Sequence, residues 1–235
     1  GEGGETETHG RSTSHAHGRR RAEGRQTTEQ LMFQHCLQTL DSAKADLEAI
    51  HSIACRDTLN MLRCHINPIL APLDSFEYTL SPEDFARFQV EDPIFRRFIS
   101  VAQTLVKHLR KALPSPTVRE ILLLFVDRVT KRVEQAVLSK RFSLHGALQL
   151  DSDVRQLGSF FASALEQSVR GRFARLNDIG TLLNLETVRE FEDIFAGGAA
   201  AQLRLSPEEV QQVLSLRVDF AQADVAAAVK RVFGK

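Results

Sequence analysis

Residues 204–220 read RLSPEEVQQVLSLRVDF and contain the clearest helix start in the chain. Ser206 can cap a helix, Pro207 suits its first position, and Glu209 follows the cap by three residues, which is the spacing of a capping box. A helix is therefore predicted to begin at Ser206. The helix before it, at about 186–195, should end at Gly197 and Gly198, and a last short helix should cover about 222–232.

Upstream of this stretch, apolar residues recur at steps of three and four, as in amphipathic helices. One helix is predicted from Glu29 to just before Pro68, because the residue before a proline disfavours the helical region. Further helices are predicted at about 81–88, 92–113, 115–140 and 152–183, the first three opening on Ser-Pro or Asp-Pro pairs. No strand-length alternation is present, which predicts an all-α protein of helical bundles with antiparallel neighbours.

The pattern divides the chain into three regions. Residues 1–30 contain no Leu, Ile, Val, Phe or Met, so they cannot bury enough apolar surface to offset the entropy of ordering, and we predict a disordered tail. Residues 142–150 interrupt the helical pattern around His145 and Gly146. The predicted domains are therefore a larger helical bundle at 31–145 and a small C-terminal helical domain at 146–235.

Composition argues against several classes of function. Thirty basic residues balance thirty acidic ones, so no overall charge favours nucleic acid or anionic lipid. Cys36, Cys55 and Cys64 include no CxxC pair, which indicates reduced thiols rather than a disulfide framework or a zinc site. The longest apolar run, 121–126, is far shorter than the ~20 residues of a membrane span. No nucleophile, phosphate-loop, metalloprotease or dinucleotide motif is found, so we predict no enzyme, no catalytic residue, no cofactor and no metal.

Arg175 is the main candidate for a structural site. It lies near the apolar face of a helix that carries Phe173 and Leu176, and a half-buried guanidinium needs acceptors. Its five donors suit more than one carboxylate. We therefore predict a salt-bridge network of Arg175 with Glu209, in the capping box, and Asp219, just beyond that helix.

A second candidate is the basic ridge of Arg128, Lys131 and Arg132 on the outer side of the helix at 115–140. Such a ridge is typical of a solvated helix face, and we also consider it a possible partner surface. Together with Arg19–Arg21 in the tail it would serve the alternative function, a helical nucleic-acid-binding module or a generic scaffold. Zero net charge and the lack of an aromatic stacking platform argue against nucleic-acid binding.

Several segments resemble the C-terminal end of subunit 4 of the conserved oligomeric Golgi complex. They are RFARL (172–176), TLLNLE (181–186), RLSPEEVQQVL (204–214) and LRVDF (216–220). Upstream, EDP (91–93), Phe142, Gly146, LQLD (148–151) and Arg155 are also similar. The resemblance covers roughly residues 31–233 and keeps the family's order.

The resemblance implies an elongated helical-bundle rod of the multisubunit tethering type, with a larger bundle followed by a small C-terminal one. It implies a non-catalytic subunit of a Golgi vesicle-tethering complex that acts in intra-Golgi retrograde transport and supports protein glycosylation. The implied partners are the other subunits of that complex, SNAREs and their Sec1/Munc18-type regulators. The implied location is the cytosolic side of the Golgi membrane, by peripheral association. It also implies that Arg175 bridges to acidic groups of the helices that follow.

Overall fold

The computed structural model describes residues 14–91 and 95–234, with side chains from residue 28 onward except at 63–66. These residues form helices joined by short connections, and no extended strand occurs among them. The all-α prediction is confirmed. The helices are α1 (Ser14–Leu70), α2 (Pro72–Ser75), α3 (Pro82–Glu91), α4 (Phe95–Ala112), α5 (Ser115–Val137), α6 (Leu144–Leu165), α7 (Arg170–Leu183), α8 (Val188–Phe195), α9 (Pro207–Leu214) and α10 (Gln222–Phe233), with a 3-10 helix at Ala196–Gln202.

The chain divides into two compact units, Gly1–Ala54 and Cys55–Lys235. In the first, residues 14–54 belong to α1 alone, and no second element of that unit is described. Its apolar side chains are therefore exposed, although the sequence pattern predicts that several face inward. They are Leu31, Met32, Phe33, Leu37, Leu40, Leu47, Ile50 and Ile53.

The helical backbone of α1 begins at Ser14 and continues through Pro68 to Leu70. The sequence places these limits at Glu29 and before Pro68, so both predicted limits are wrong. Pro68 has no amide hydrogen, so it loses one helical hydrogen bond, and the helix ends two residues later at Leu70, which is buried. The first 13 residues of the predicted tail lie outside the described residues, and its disorder stays a prediction.

The core of the second unit includes a chain of phenylalanines that crosses four helices. Ring centroids are 6.0 Å apart between Phe98 of α4 and Phe125 of α5, 5.4 Å between Phe125 and Phe161 of α6, and 6.3 Å between Phe161 and Phe173 of α7. All four side chains are buried. α7 also packs against α9, and α10 packs against α8 and α9. The C-terminal helices are thus joined to α5 and α6 through α7.

Phe142 lies where three distant segments meet. Its amide donates to the carbonyl of Leu216 at 2.9 Å, and its own carbonyl accepts from the amide of Val218 at 3.0 Å. The amide of Ser143 donates to the carbonyl of Tyr78 at 3.1 Å, and the rings of Tyr78 and Phe142 stack at 4.8 Å. Backbone contacts thus run from residues 142–143 to both sides of the predicted division at 145/146, which stays a prediction.

The helix predicted at 152–183 is two helices in the structure. α6 begins earlier, because the Ser143 hydroxyl caps it by accepting from the amide of Gly146 at 3.2 Å. It ends at Leu165, where Glu166 takes a left-handed conformation with φ of 54°. That conformation is unusual for a residue other than glycine. The end of α6 at Leu165 is therefore difficult to predict from the sequence.

Candidate functional site

Arg175 lies on the edge of the buried face of α7, between Ala174 and Leu176, and is itself partly exposed. Its Nε and Nη2 donate to Oε1 of Glu134, on α5, at 3.0 and 2.8 Å. Its Nη2 and Nη1 also donate to Glu209, on α9, at 2.9 Å to Oε1 and 3.3 Å to Oε2. The guanidinium therefore joins three helices through two carboxylates.

Two side chains of α7 also bind the backbone of the segment before α9. Nη1 of Arg175 donates to the carbonyl of Arg204 at 2.8 Å, and the amide of Arg204 donates to Oδ2 of Asp178 at 2.8 Å. Both hydrogen bonds use the backbone of Arg204, so they do not depend on which side chain stands at this position. Residues of α7 thus set the position from which α9 begins.

Glu209 has two roles. Its Oε2 accepts from the amide of Ser206 at 2.8 Å, while the Ser206 hydroxyl accepts from the amide of Glu209 at 3.2 Å, which completes the capping box. The hydrogen bond from Arg175, followed by that from the Ser206 amide, lowers the pKa of the Glu209 carboxyl. In turn the hydrogen bonds to Glu209 and Glu134 raise the pKa of Arg175. The network therefore holds these groups in their charged forms.

Glu134 is the member that sequence reasoning missed. It lies on α5, on the same face as a second acidic residue that also pairs with α7. Asp127 and Glu134 are seven residues apart, and so lie on one helix face. They pair with Arg172 and Arg175, which are three residues apart on α7. The acidic residues are about two turns apart and the arginines about one turn apart, so the two spacings do not match, and the pairing follows only from how α5 and α7 pack.

Asp219 belongs to a different site, which corrects its sequence-based grouping with Arg175. Its carboxylate accepts from Nε and Nη2 of Arg217 at 2.9 and 2.6 Å. Asp219 pairs with Arg217 rather than with Arg175 because Arg217 is only two residues away. The hydrogen bond from Arg217 lowers the pKa of Asp219.

Arg217 is 1% exposed and is the second residue that sequence reasoning missed. Its Nη1 donates to the carbonyls of Leu183, at a short distance, and of Leu185, at 2.7 Å. Its guanidinium carbon lies 4.4 Å from the centroid of the Phe220 ring. A buried charge is tolerated when it is paired and hydrogen-bonded, so Arg217 fixes the end of α7 to the segment after α9.

The predicted basic ridge is partly occupied by contacts within the chain. Nη2 of Arg128 donates to Oδ1 of Asn60 at 2.9 Å, and Arg132 pairs with Asp74. Lys131 is exposed and lines a cavity of 530 Å³ that also borders Arg175. Of the three side chains, Lys131 is thus the one left facing solvent without an ion pair in the described part of the chain.

The chemistry of both arginine sites is structural. Each guanidinium is directed at carboxylates and backbone carbonyls of its own chain, and such contacts hold helices in register. Both arginine sites are therefore helix junctions.

Comparison with known proteins gives a consistent result. The family model described as conserved oligomeric Golgi complex subunit 4, C-terminal, matches residues 12–212. The chain is 33% identical over 193 residues to subunit 4 of the conserved oligomeric Golgi complex from Arabidopsis thaliana, a match that covers 82% of this chain and 26% of the plant protein. It is 30% identical over 196 residues to the Homo sapiens protein of the same name, covering 79% and 25%.

The corresponding protein of Drosophila melanogaster is 27% identical over 206 residues, which is 85% of this chain and 26% of the fly protein. The chain spans about a quarter of the length of these curated relatives. The family match extends farther toward the N-terminus than the resemblance in the sequence, which begins at about residue 31. The chain belongs to the family of conserved oligomeric Golgi complex subunit 4, in the C-terminal part that the family model describes.

Proposed function

We propose that this chain is part of a non-catalytic subunit of a Golgi vesicle-tethering complex. In this role it acts in intra-Golgi retrograde transport and supports protein glycosylation by helping to recycle Golgi enzymes. The observation that carries the proposal is the family match over residues 12–212. The two arginine sites are consistent with it, because they stabilise a helical module and leave its outer faces for partners.

The proposed partners are the other subunits of the same complex, and beyond them SNAREs and their Sec1/Munc18-type regulators. The proposed location is peripheral, on the cytosolic side of the Golgi membrane. No helix in the described part of the chain is long and apolar enough to cross a bilayer.

Co-purification tests the proposal directly. The protein is tagged at its own gene, purified from cells under mild conditions, and its partners are identified by mass spectrometry. We expect subunits of the Golgi complex in near-equal amounts. Absence of those subunits would contradict the proposal. RNA or DNA in their place, released by salt as a contact with phosphates requires, would favour the alternative nucleic-acid-binding module.

A further inference from the structure

An apolar groove of 540 Å³ opens along α4 in the second unit. The C-terminal part of α1 and the buried face of α5 complete it. The residues that line it include Leu62 and Ile69 of α1, Val101, Leu105 and Leu109 of α4, and Phe125 of α5. Val101 is 39% exposed, so the groove presents apolar side chains to solvent. An open apolar trough beside a helix is a common site for another helix.

The charge along α4 is of one sign. The helix reads FRRFISVAQTLVKHLRKA and has no Asp or Glu. Arg97, Val101, Thr104, His108 and Lys111 follow one another at steps of four, three, four and three, so they form one stripe on its surface. Val101, Thr104 and His108 line the groove. Arg97 and Lys111 therefore lie near the two ends of its α4 wall.

These two cations are available to a partner. Arg97 and Lys111 are exposed, and the described residues provide neither with a salt bridge or a side-chain hydrogen bond. Arg110, on another side of the same helix, differs, since it lies 3.6 Å from Glu166 and donates to the carbonyl of Ala164 at 2.7 Å. A partner with carboxylates beside its apolar face would complement both the groove and its charged edge.

We propose that the groove binds an amphipathic helix of a partner protein, with an apolar face toward Val101 and Leu105 and acidic residues toward Arg97 and Lys111. A flat anionic membrane surface would meet the same cations, but it would not fill a trough walled by two helices. Binding at the groove does not depend on the Golgi assignment, so either can fail without the other.

The test uses a displayed library of helical peptides as long as α4, 18 residues, with one face of Leu and Ile and all other positions randomised. The full chain is the target. Val101→Asp places a charge in the groove at a partly exposed site. Val218→Asp is the matched control, because Val218 is 51% exposed and does not line the groove. Circular dichroism verifies that both variants are folded.

We expect enriched peptides to carry Asp or Glu beside the apolar face. Their affinity should fall by about tenfold or more in Val101→Asp and stay unchanged in Val218→Asp. In the double variant Arg97→Glu, Lys111→Glu, selection should shift toward peptides with Lys or Arg at the same positions. That shift would identify the α4 stripe as the edge that the peptide contacts.

Three results would overturn the proposal. The first is no enrichment, or peptides whose charge does not respond to the double variant. The second is equal affinity for Val101→Asp and Val218→Asp. The third is that Arg97→Glu, Lys111→Glu abolishes binding to vesicles of phosphatidylcholine with phosphatidylserine while no peptide binds, which would make the stripe a membrane contact.

Discussion

Among single residues, Arg175 and Arg217 each place a charged guanidinium at a helix junction, but the two differ in how far solvent reaches them. Arg217 is 1% exposed and its donors reach one carboxylate and two backbone carbonyls. Arg175 is more accessible, with 36% of its side chain exposed, and it lies between Glu134 and Glu209, whose side chains are 21% and 40% exposed. Because solvent reaches this cluster, its contribution to stability should be smaller than that of a fully buried pair.

Replacement of Arg175 by alanine should destabilise the second unit by about 2–3 kcal/mol, because two carboxylates and the carbonyl of Arg204 lose a shared donor. Arg172→Ala is the matched control on the same helix. Arg172 makes one exposed ion pair, with Asp127, so its loss should cost less than about 1 kcal/mol. Denaturant unfolding of both variants gives the comparison. Equal stabilities for the two variants would show that the Arg175 cluster is an ordinary surface pair.

The lowered pKa of Glu209 predicts that the stability of the protein depends on pH. Its pKa is lowered from the ordinary 4.5 in the folded protein, first by Arg175 and then by the Ser206 amide. A group with a lowered folded pKa contributes stability above its ordinary pKa and loses it as the pH falls through the lowered value. Glu209→Gln should therefore be less stable than wild type at neutral pH, with a difference that shrinks below about pH 4.5.

The Arg175→Ala background is the control for this experiment. Arg175 is the first cause of the lowered pKa of Glu209. In the Arg175→Ala background, Glu209→Gln should therefore lower the free energy of unfolding by less, and this loss should depend less on pH. Unfolding free energies measured between about pH 3 and pH 7 for the four proteins form a double-mutant cycle. A difference between wild type and Glu209→Gln that grows toward acid pH would contradict the assigned sign.

At the scale of the element, two glycines of α6 have opposite surroundings. A Cβ at Gly146 would lie 1.5 Å from the carbonyl oxygen of Tyr78, whereas a Cβ at Gly158 would meet no atom within 4 Å. The close approach at Gly146 follows from the contact of Ser143 with the segment of Tyr78. Gly146 thus permits the backbones of two distant segments to touch.

The substitutions Gly146→Ala and Gly158→Ala should accordingly act in opposite directions. Gly146→Ala forces two backbone segments apart and should lower the melting temperature by several degrees or prevent folding. Gly158→Ala removes a flexible residue from a helix interior and should stabilise the protein by about 0.5–1 kcal/mol. Thermal melts of the two variants provide the check. A Gly146→Ala protein as stable as wild type would refute the placement of α6 against Tyr78.

Local patterns explain which elements could be predicted. The capping box at Ser206 and Glu209 is a short-range signal, and α9 begins where that signal places it. The separation of α6 from α7 depends on Glu166 in a left-handed conformation. Glycine is the usual residue in that conformation, and no glycine stands at this position to mark the end of the helix. The pairing of Arg175 with Glu209 could be anticipated because a half-buried cation needs an acceptor. Glu134 and Arg217 depend on how distant helices pack, which spacing along one helix does not reveal.

At the scale of the whole molecule, the predicted division at 145/146 and the predicted disorder of residues 1–30 can be tested together. Limited trypsin digestion should remove the tail quickly and leave a resistant core that begins near residues 25–31, because a segment without large apolar residues gains little from burial. Protection of Arg19–Arg21 would contradict the disordered tail. A separately expressed chain from residue 146 that fails to fold would contradict the division.

The central claim, that the chain is part of a non-catalytic Golgi tethering subunit, is tested most directly by glycan processing in cells depleted of this protein. Lectin binding at the cell surface should report immature glycans after depletion. Wild type and Arg172→Ala should restore mature glycans, and Arg175→Ala should restore less, in proportion to its lower amount of folded protein. Unchanged glycans and an unchanged distribution of Golgi enzymes after complete depletion would contradict the claim.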